Sequence, residues 1–180
     1  MKKLVFMLAA AIAVVSAQAA SVNWTCTNVK DGSGNAISGV AYFINAATLS
    51  QSDFRALNGA DAFTTALSGM YSYTPSTAGK YTVSDAIANS TLGLSDTTAY
   101  TVYLAVFDTA TITDSSNYYL TETKSLTTMT GSDNAQIKWG SQSTASQAAG
   151  AWTSVNVPEP TSGLLMLIGM AGLALRRKRA

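Results

Sequence analysis

The chain has 180 residues and a formal net charge of +1, with one cysteine and no histidine. Six of its eleven Lys and Arg residues lie near the two ends, so residues 20–157 hold five basic and nine acidic side chains and carry a net charge of −4. This balance argues against nucleic acid or anionic lipid as a partner. One cysteine excludes an intramolecular disulfide, and without histidine neither a Ser-His-Asp nor a Cys-His catalytic site is available.

The first nineteen residues have the pattern of a secretory signal peptide. Lys2 and Lys3 precede an apolar run over residues 4–15, and Ala17 and Ala19 then supply an Ala-x-Ala cleavage site. Twelve apolar residues are too few to span a bilayer as a permanent anchor. We therefore expect the export machinery and signal peptidase as partners, with cleavage after Ala19; cleavage one residue later is the second choice.

Alternation of apolar and polar residues predicts strands through the middle of the chain. Residues 22–26 form the first, and a turn-rich connection over residues 30–35 joins it to a second strand at residues 40–44. Residues 100–107 are apolar at nearly every position, which is typical of a central strand. Further strands are expected at residues 118–123, 135–139 and 152–155.

Two segments break the strand pattern and favour helices. Residues 50–67 form the longer one, for which Ser50 or Ser52 is the candidate N-cap, and residues 84–88 form a second short helix. The predicted fold of residues 20–156 is mostly β, a two-layer sandwich of six to eight strands with one or two short inserted helices. A barrel is the alternative. Residues 140–150 are small and polar and form either a loop within the domain or the start of a tether.

The candidate chemistry in this domain is sparse. Residues 31–35 resemble the start of a calcium loop, but Ala36 and Tyr42 stand where such a loop needs glycine and a bidentate glutamate. A hairpin loop is favoured, and a weak oxygen-ligand calcium site is the alternative. Cys26 falls on the apolar side of its strand, which predicts a buried thiol.

The aromatic and acidic residues leave two further questions. Trp24 and Trp139 alternate with polar neighbours, which favours core packing over a sugar-binding face. Glu122 and eight aspartates occupy the domain, mostly beside Gly, Ser or Thr, where aspartate forms turns and caps. A pair of carboxylates brought together by the fold is the enzymatic alternative. We predict no catalytic residue, no cofactor and no bound metal.

The C-terminal segment has three consecutive parts. Val157-Pro158-Glu159-Pro160 comes first, an apolar run over residues 163–175 follows, and Arg176-Arg177-Lys178-Arg179 comes next. A helix over residues 161–175 would be roughly 22 Å long, shorter than a hydrocarbon core of about 30 Å. Basic side chains that snorkel, together with local thinning of the bilayer, would still let it lodge in a membrane. The positive cluster favours the cytoplasmic side and leaves the domain outside.

These three parts resemble the PEP-CTERM sorting signal of Gram-negative bacteria, in which a Pro-Glu-Pro motif precedes a transmembrane helix and a short basic end. The resemblance covers residues 157–180 only. It implies recognition by an exosortase-like enzyme, cleavage near Pro158-Glu159-Pro160 and delivery to the cell surface or to secreted polymer.

Two main functions follow from the sequence. The first is an exported, non-catalytic surface or extracellular-matrix protein that is sorted and processed through its tail. The alternative is an extracellular glycan-binding module, with polysaccharide as its partner and exposed aromatic side chains as its binding surface. An enzyme that uses a carboxylate pair is third.

Overall fold

The computed structural model describes residues 20–31, 33–140 and 152–156. Within these residues the domain is mostly β, with two sheets and two short helices. The strands are β1 (Ser21–Thr27), β2 (Ala41–Asn45), β3 (Ser72–Tyr73), β4 (Lys80–Ala88), β5 (Ala99–Phe107), β6 (Asn117–Leu120), β7 (Lys124–Thr127), β8 (Asn134–Trp139) and β9 (Thr153–Ser154). The helices are α1 (Gln51–Ala56) and α2 (Ala60–Ala66), and a 3-10 turn covers Asn89–Leu92.

The small sheet has the order β4-β1-β8. Its central strand β1 pairs antiparallel with β4 and parallel with β8, so the first strand of the domain depends on a partner more than a hundred residues later. On β1, Val22, Trp24 and Cys26 are buried, whereas Asn23 and Thr25 are only half-buried and lie on the opposite face. This alternation follows from the two-residue period of a strand with one covered face.

The large sheet has the order β3-β2-β5-β6-β9, and β7 also pairs with β5. Strands β6 and β7 occupy successive halves of the same edge of β5. At the break between them the Leu104 N–H donates to the Thr121 hydroxyl at 2.9 Å, while the Thr121 N–H donates to the Leu104 carbonyl at 3.0 Å. The Thr121 side chain thus stands in for a carbonyl where the strand bends, and the buried backbone of β5 stays paired.

Both faces of the large sheet are covered. Its central strand β5 sends Val102, Leu104 and Val106 toward the small sheet, and Tyr103, Ala105 and Phe107 toward the helices. The two resulting cores are named here the inter-sheet layer and the helical layer. Successive residues of β5 pack alternately in the two layers, which explains why this strand is apolar at almost every position.

The helical layer is built on two short helices with aromatic anchors. Helix α1 begins after Ser50, whose Oγ accepts the Asp53 N–H at 3.1 Å, and it buries Phe54. Helix α2 follows Gly59 and buries Phe63. The rings of Phe54 and Phe63 lie 5.2 Å apart and both contact Tyr118 and Phe107 of the sheet.

The predicted mostly-β character and the two sheets are confirmed, as is a helical segment within residues 50–67, although this segment holds two helices where one was predicted. The predicted two-layer arrangement is corrected to three layers, because the helices cover the outer face of the large sheet. A second correction concerns residues 84–88, which form the end of β4 and not a helix. Their pairing with β1, Ala88 with Ser21 and Ile87 with Val22, overrides the capping pattern of Ser84 and Asp85.

The first two strands are joined as predicted but do not pair with each other. Strand β1 belongs to the small sheet and β2 to the large sheet. The connection does fold back locally, since Lys30 and Ala36 form an antiparallel bridge. Strands β3, β4 and β7 were not predicted; β3 has two residues, and Leu126 is the one buried side chain of β7.

The predicted signal peptide and transmembrane helix concern residues 1–19 and 161–175, which lie outside the described residues. The predicted loop or tether at residues 140–150 also lies outside them, except for Gly140. Among the helices that are described, none combines the length and the apolar character needed to cross a bilayer.

Candidate functional site

The predicted cleavage and sorting residues all lie outside the described part of the chain. They are Ala17, Ala19, Val157, Pro158, Glu159, Pro160, Arg176, Arg177, Lys178 and Arg179. What the structure describes is the surface of the domain at which these segments join it, at Ala20 and at Asn156.

The chain leaves the domain through a short but well-anchored strand. Thr153 and Ser154 of β9 pair with Tyr118 and Asn117 of β6. Val155 is fully buried; its N–H donates to the Ser116 carbonyl at 2.9 Å, and its carbonyl accepts the Gly59 N–H at 3.0 Å. The backbone is therefore fixed up to Val155, and Asn156 is the first exposed residue after it.

Trp152 anchors the other end of this segment. Its Nε1–H donates to the Lys30 carbonyl at 2.8 Å, and its ring lies 6.1 Å from that of Tyr119. Contacts with the loop after β1 and with β6 thus hold the segment in place before β9 begins.

The chain exit borders a shallow depression of about 290 Å³. We call this surface the exit corner; it is lined by Asn58, Gly59, Ala60, Asp61, Asp114 and Asn156. Gly59 has φ = +83°, a backbone conformation that favours glycine, and the Asp114 Oδ1 accepts the Ala60 N–H at 2.8 Å. Asp61 is exposed, so the corner presents carboxylates and amides and none of its lining residues is basic.

The N-terminal end of the domain is also close to a folded element. Ala20 is only 3% exposed, and its carbonyl accepts the Asn89 N–H at 2.9 Å. Ser21 begins β1, and its hydroxyl donates to the Asn134 side chain on the neighbouring strand. The predicted cleavage bond between residues 19 and 20 would therefore directly precede the first strand.

The outer face of the small sheet forms a second polar surface. A depression of about 270 Å³ lies there, with Asn23 and Thr25 on β1, Thr82 and Ser84 on β4, and Gln136 and Lys138 on β8 among its lining residues. The Asn23 Oδ1 is buried without a hydrogen-bond partner. Such an orphaned acceptor is unusual in a folded protein.

Within the described part of the chain, the aromatic residues do not form the exposed surface on which the glycan alternative depended. Trp24 and Trp139 are each 1% exposed and pack in the inter-sheet layer, as predicted. Tyr42, Tyr71 and Trp152 are half-buried, and Met129 is the one exposed large apolar side chain within residues 20–31, 33–140 and 152–156. Cys26 is fully buried, as its place on β1 predicted.

Asp31 serves the loop that follows β1. Its Oδ1 accepts the N–H groups of Ser33 and Asn35 at 2.9 and 2.8 Å, and its Oδ2 accepts the Asn35 side chain at 3.1 Å. The backbone hydrogen bond from Asn35 is the main reason that the pKa of Asp31 lies below its usual value. The predicted turn role of this carboxylate is thus observed.

Several other carboxylates have similar structural partners. Asp108 accepts the backbone and side-chain N–H groups of Asn117, each at 2.8 Å, and Asp96 accepts the Asn89 side chain at 2.7 Å. Glu122 pairs with Lys124 at 2.8 Å on the surface. In the described part of the chain, no three acidic or cysteine side chains lie together in a group that could hold a metal ion.

Comparison with known families locates a sorting signal at the domain's exit. Residues 156–179 match the PEP-CTERM protein-sorting motif. The resemblance predicted from residues 157–180 is confirmed. The match begins at Asn156, the residue at which the chain leaves the exit corner. No curated protein and no solved structure matches this chain.

The sequence predicted the sorting residues but not the surface from which they emerge. Gly59, Asp114 and Val155 are distant in sequence and come together only because β9 adds to β6 beside helix α2. The one available signal was Val155, an apolar residue two positions after a strand-like Trp-Thr pair and just before the proline motif. It indicated that the folded core extends almost to the motif.

Proposed function

We propose that the chain is an exported, non-catalytic surface or extracellular-matrix protein that an exosortase-type enzyme processes near Pro158-Glu159-Pro160. The observation that carries this proposal is the PEP-CTERM match at residues 156–179, directly after a domain that ends at Val155. The signal peptide takes the chain across the inner membrane, and the apolar helix holds it there until processing. The domain then reaches the cell surface or the secreted polymer.

A temporary membrane stop suits the physical properties of this tail. An extended, proline-flanked acidic motif just outside an undersized helix is accessible to a membrane-embedded protease, and the basic end fixes the orientation. A carboxylate with a structural partner is poorly placed to act as a general acid or base, which supports the non-catalytic assignment for the domain.

The test replaces Glu159 in the full-length protein in its own host. Glu159→Ala should leave full-length protein in the membrane fraction, while the wild type should become shorter at its C-terminus. Glu122→Ala is the matched control, because Glu122 is also an exposed acid and lies within the domain. Intact-mass measurement of protein from cells and medium decides the outcome. Wild-type protein on the cell surface that still carries Arg176-Arg177-Lys178-Arg179 would refute processing.

A glycan-binding role is the second candidate, on a different surface from the one that the aromatics suggested. The outer face of the small sheet offers amide and hydroxyl side chains, and the Asn23 Oδ1 lacks a hydrogen-bond donor. Sugar hydroxyls are donors of the required kind. Asn23→Ala and Gln136→Ala should each weaken retention on the host's own exopolysaccharide, and Gln51→Ala, on helix α1 and thus away from this face, should not. Equal retention of all three variants and the wild type would exclude this face.

A further inference from the structure

The PEP-CTERM motif cannot move far from the domain. Val155 is held on both sides by backbone hydrogen bonds, and Glu159 follows only four residues later. A fully extended chain spans at most about 3.6 Å per residue, so Glu159 lies within roughly 14 Å of Val155. That reach is about the radius of gyration of a globular domain of this length. An enzyme that binds Glu159 must therefore meet the surface around Val155.

That surface is the exit corner, and it is already rigid. The Gly59 N–H donates to the Val155 carbonyl, and the Asp114 carboxylate accepts the first backbone N–H of α2. Gly59 itself has φ = +83°. Asp61 projects from the first turn of α2 as an exposed carboxylate. An anionic lipid surface would be repelled by this corner, whereas a protein surface with basic side chains would be attracted.

We propose that the processing enzyme docks on the exit corner while it binds Pro158-Glu159-Pro160, and that Asp61 is one of the contacts. The inference rests on the proposed function, because it concerns the same processing step. The short connection makes the second contact effectively intramolecular once the motif is bound, so even a weak interaction raises occupancy. The folded domain is thus part of what the enzyme recognises.

The decisive experiment combines a charge reversal with a longer connection in the full-length protein. Asp61→Lys tests the contact. A twelve-residue Gly/Ser insertion between Asn156 and Val157 adds a flexible linker with a mean end-to-end distance of roughly 20 Å between the domain and the motif. Asp85→Lys is the matched control, since Asp85 is exposed on β4 of the small sheet, on the other side of the large sheet from α2. The rate of tail removal is followed by pulse-chase and intact mass.

Asp61→Lys should slow tail removal about tenfold with the native connection, and Asp85→Lys should leave it unchanged. Asp61→Asn should have a smaller effect in the same direction, and it provides an independent test in case the charge-reversed variant misfolds. The insertion alone should slow removal to a similar extent, and adding Asp61→Lys to it should change the rate less than twofold. The effects of Asp61→Lys and of the insertion are not additive, because both changes abolish the same contact between the exit corner and the enzyme.

Two outcomes would overturn this inference. One is wild-type processing of Asp61→Lys with the native connection, and the other is an Asp61→Lys defect that is as large with the insertion as without it. Either result leaves the proposed function standing as long as Glu159→Ala still blocks processing. Unprocessed wild type, or normal processing of Glu159→Ala, would instead refute the proposed function itself.

Discussion

The two core layers on either side of the large sheet are held together in different ways. In the inter-sheet layer, side chains from the facing surfaces of the two sheets pack together. The strands that carry them are held by backbone hydrogen bonds within each sheet. In the helical layer, α1 and α2 have six and seven residues, lengths at which an isolated helix is not stable in water. The helical layer therefore depends on a few aromatic contacts, and it is this layer that fixes the chain exit at Val155.

The largest effect is expected from Phe54→Ala in the helical layer. Phe54 is fully buried, and its ring contacts those of Phe63, Tyr103, Phe107 and Tyr118 at 5.1 to 6.4 Å. Its truncation should lower the free energy of unfolding by about 3–5 kcal/mol, the usual cost of a Phe→Ala change in a core. Urea denaturation of residues 20–156 measures it.

The same experiment tests whether the two layers unfold together. Strand β5 gives alternate residues to both layers, so we expect circular dichroism at 222 nm and tryptophan fluorescence to report one shifted transition. A fluorescence transition that stays at the wild-type urea concentration while the helical signal is lost would contradict this coupling. It would show that the inter-sheet layer is stable by itself.

The next effect is a loss of stability at alkaline pH to which both layers contribute. Burial raises the pKa of Tyr81 and Tyr119 in the inter-sheet layer and of Tyr103 in the helical layer. In the unfolded chain these groups ionise near pH 10, whereas the folded state keeps them protonated. Stability should be constant below about pH 9 and fall as pH rises further, by up to about 1.4 kcal/mol per pH unit for each tyrosine.

Replacing one of these tyrosines separates its contribution. Tyr103→Phe should make the alkaline fall less steep in urea titrations from pH 8 to 11. Tyr100→Phe is the control, because the hydrogen bond from the Ser95 N–H lowers the pKa of Tyr100 and its removal should not reduce the fall. An unchanged slope in Tyr103→Phe would show that Tyr103 ionises while the protein is folded.

The sequence predicted the inter-sheet layer better than the helical one, for a physical reason. Strands β1 and β8 have one covered face, so their residues alternate visibly, and Trp24 and Trp139 are buried as expected. The pattern of β5 indicated burial on both faces but not what covers each face. Which sheet face α1 and α2 occupy depends on contacts between residues far apart in sequence, and local periodicity does not encode it.

The strand at residues 84–88 and the exit corner could not be predicted from local sequence patterns either, because both depend on contacts between distant residues. Ser84 and Asp85 before Ala86 and Ile87 are typical of a helix start, but Ile87 and Ala88 pair with β1 across an irregularity in the strand and keep the segment extended. The exit corner arises where β9 meets β6 and α2. The motif at residues 157–160, in contrast, is a linear signal and could be identified without the fold.

A smaller effect concerns the start of the helical layer. Ser50→Ala removes the Oγ that accepts the Asp53 N–H and should cost about 1 kcal/mol, the typical value for a lost N-cap. Ser52, the other candidate cap, is exposed within α1, and Ser52→Ala should change stability by less than about 0.5 kcal/mol. Urea denaturation of both variants compares them. A larger loss for Ser52→Ala would mean that the helix starts later than Gln51.

The smallest effect compares one hydroxyl from each layer. In the helical layer, the Tyr103 hydroxyl donates to the Leu49 carbonyl at 2.8 Å, so Tyr103→Phe should cost about 1 kcal/mol at neutral pH. In the inter-sheet layer, the buried Tyr81 hydroxyl makes no hydrogen bond of good geometry, although the Gly39 backbone lies near enough to influence it. Its removal deletes a poorly satisfied polar group, so Tyr81→Phe should cost less than Tyr103→Phe and be close to neutral or slightly stabilising.

The opposite signs of these two changes distinguish the layers more sharply than their sizes do. Both replacements remove one oxygen atom from a fully buried tyrosine and leave the ring in place, so cavity and area effects nearly cancel in the comparison. Urea denaturation at pH 7 is suitable, since both hydroxyls are then protonated in the folded and unfolded states. If Tyr81→Phe is as costly as Tyr103→Phe, the Tyr81 hydroxyl has a partner such as a buried water. The Trp24 Nε1–H, which also lacks a partner within the described residues, would then remain as an unpaired donor of the inter-sheet layer.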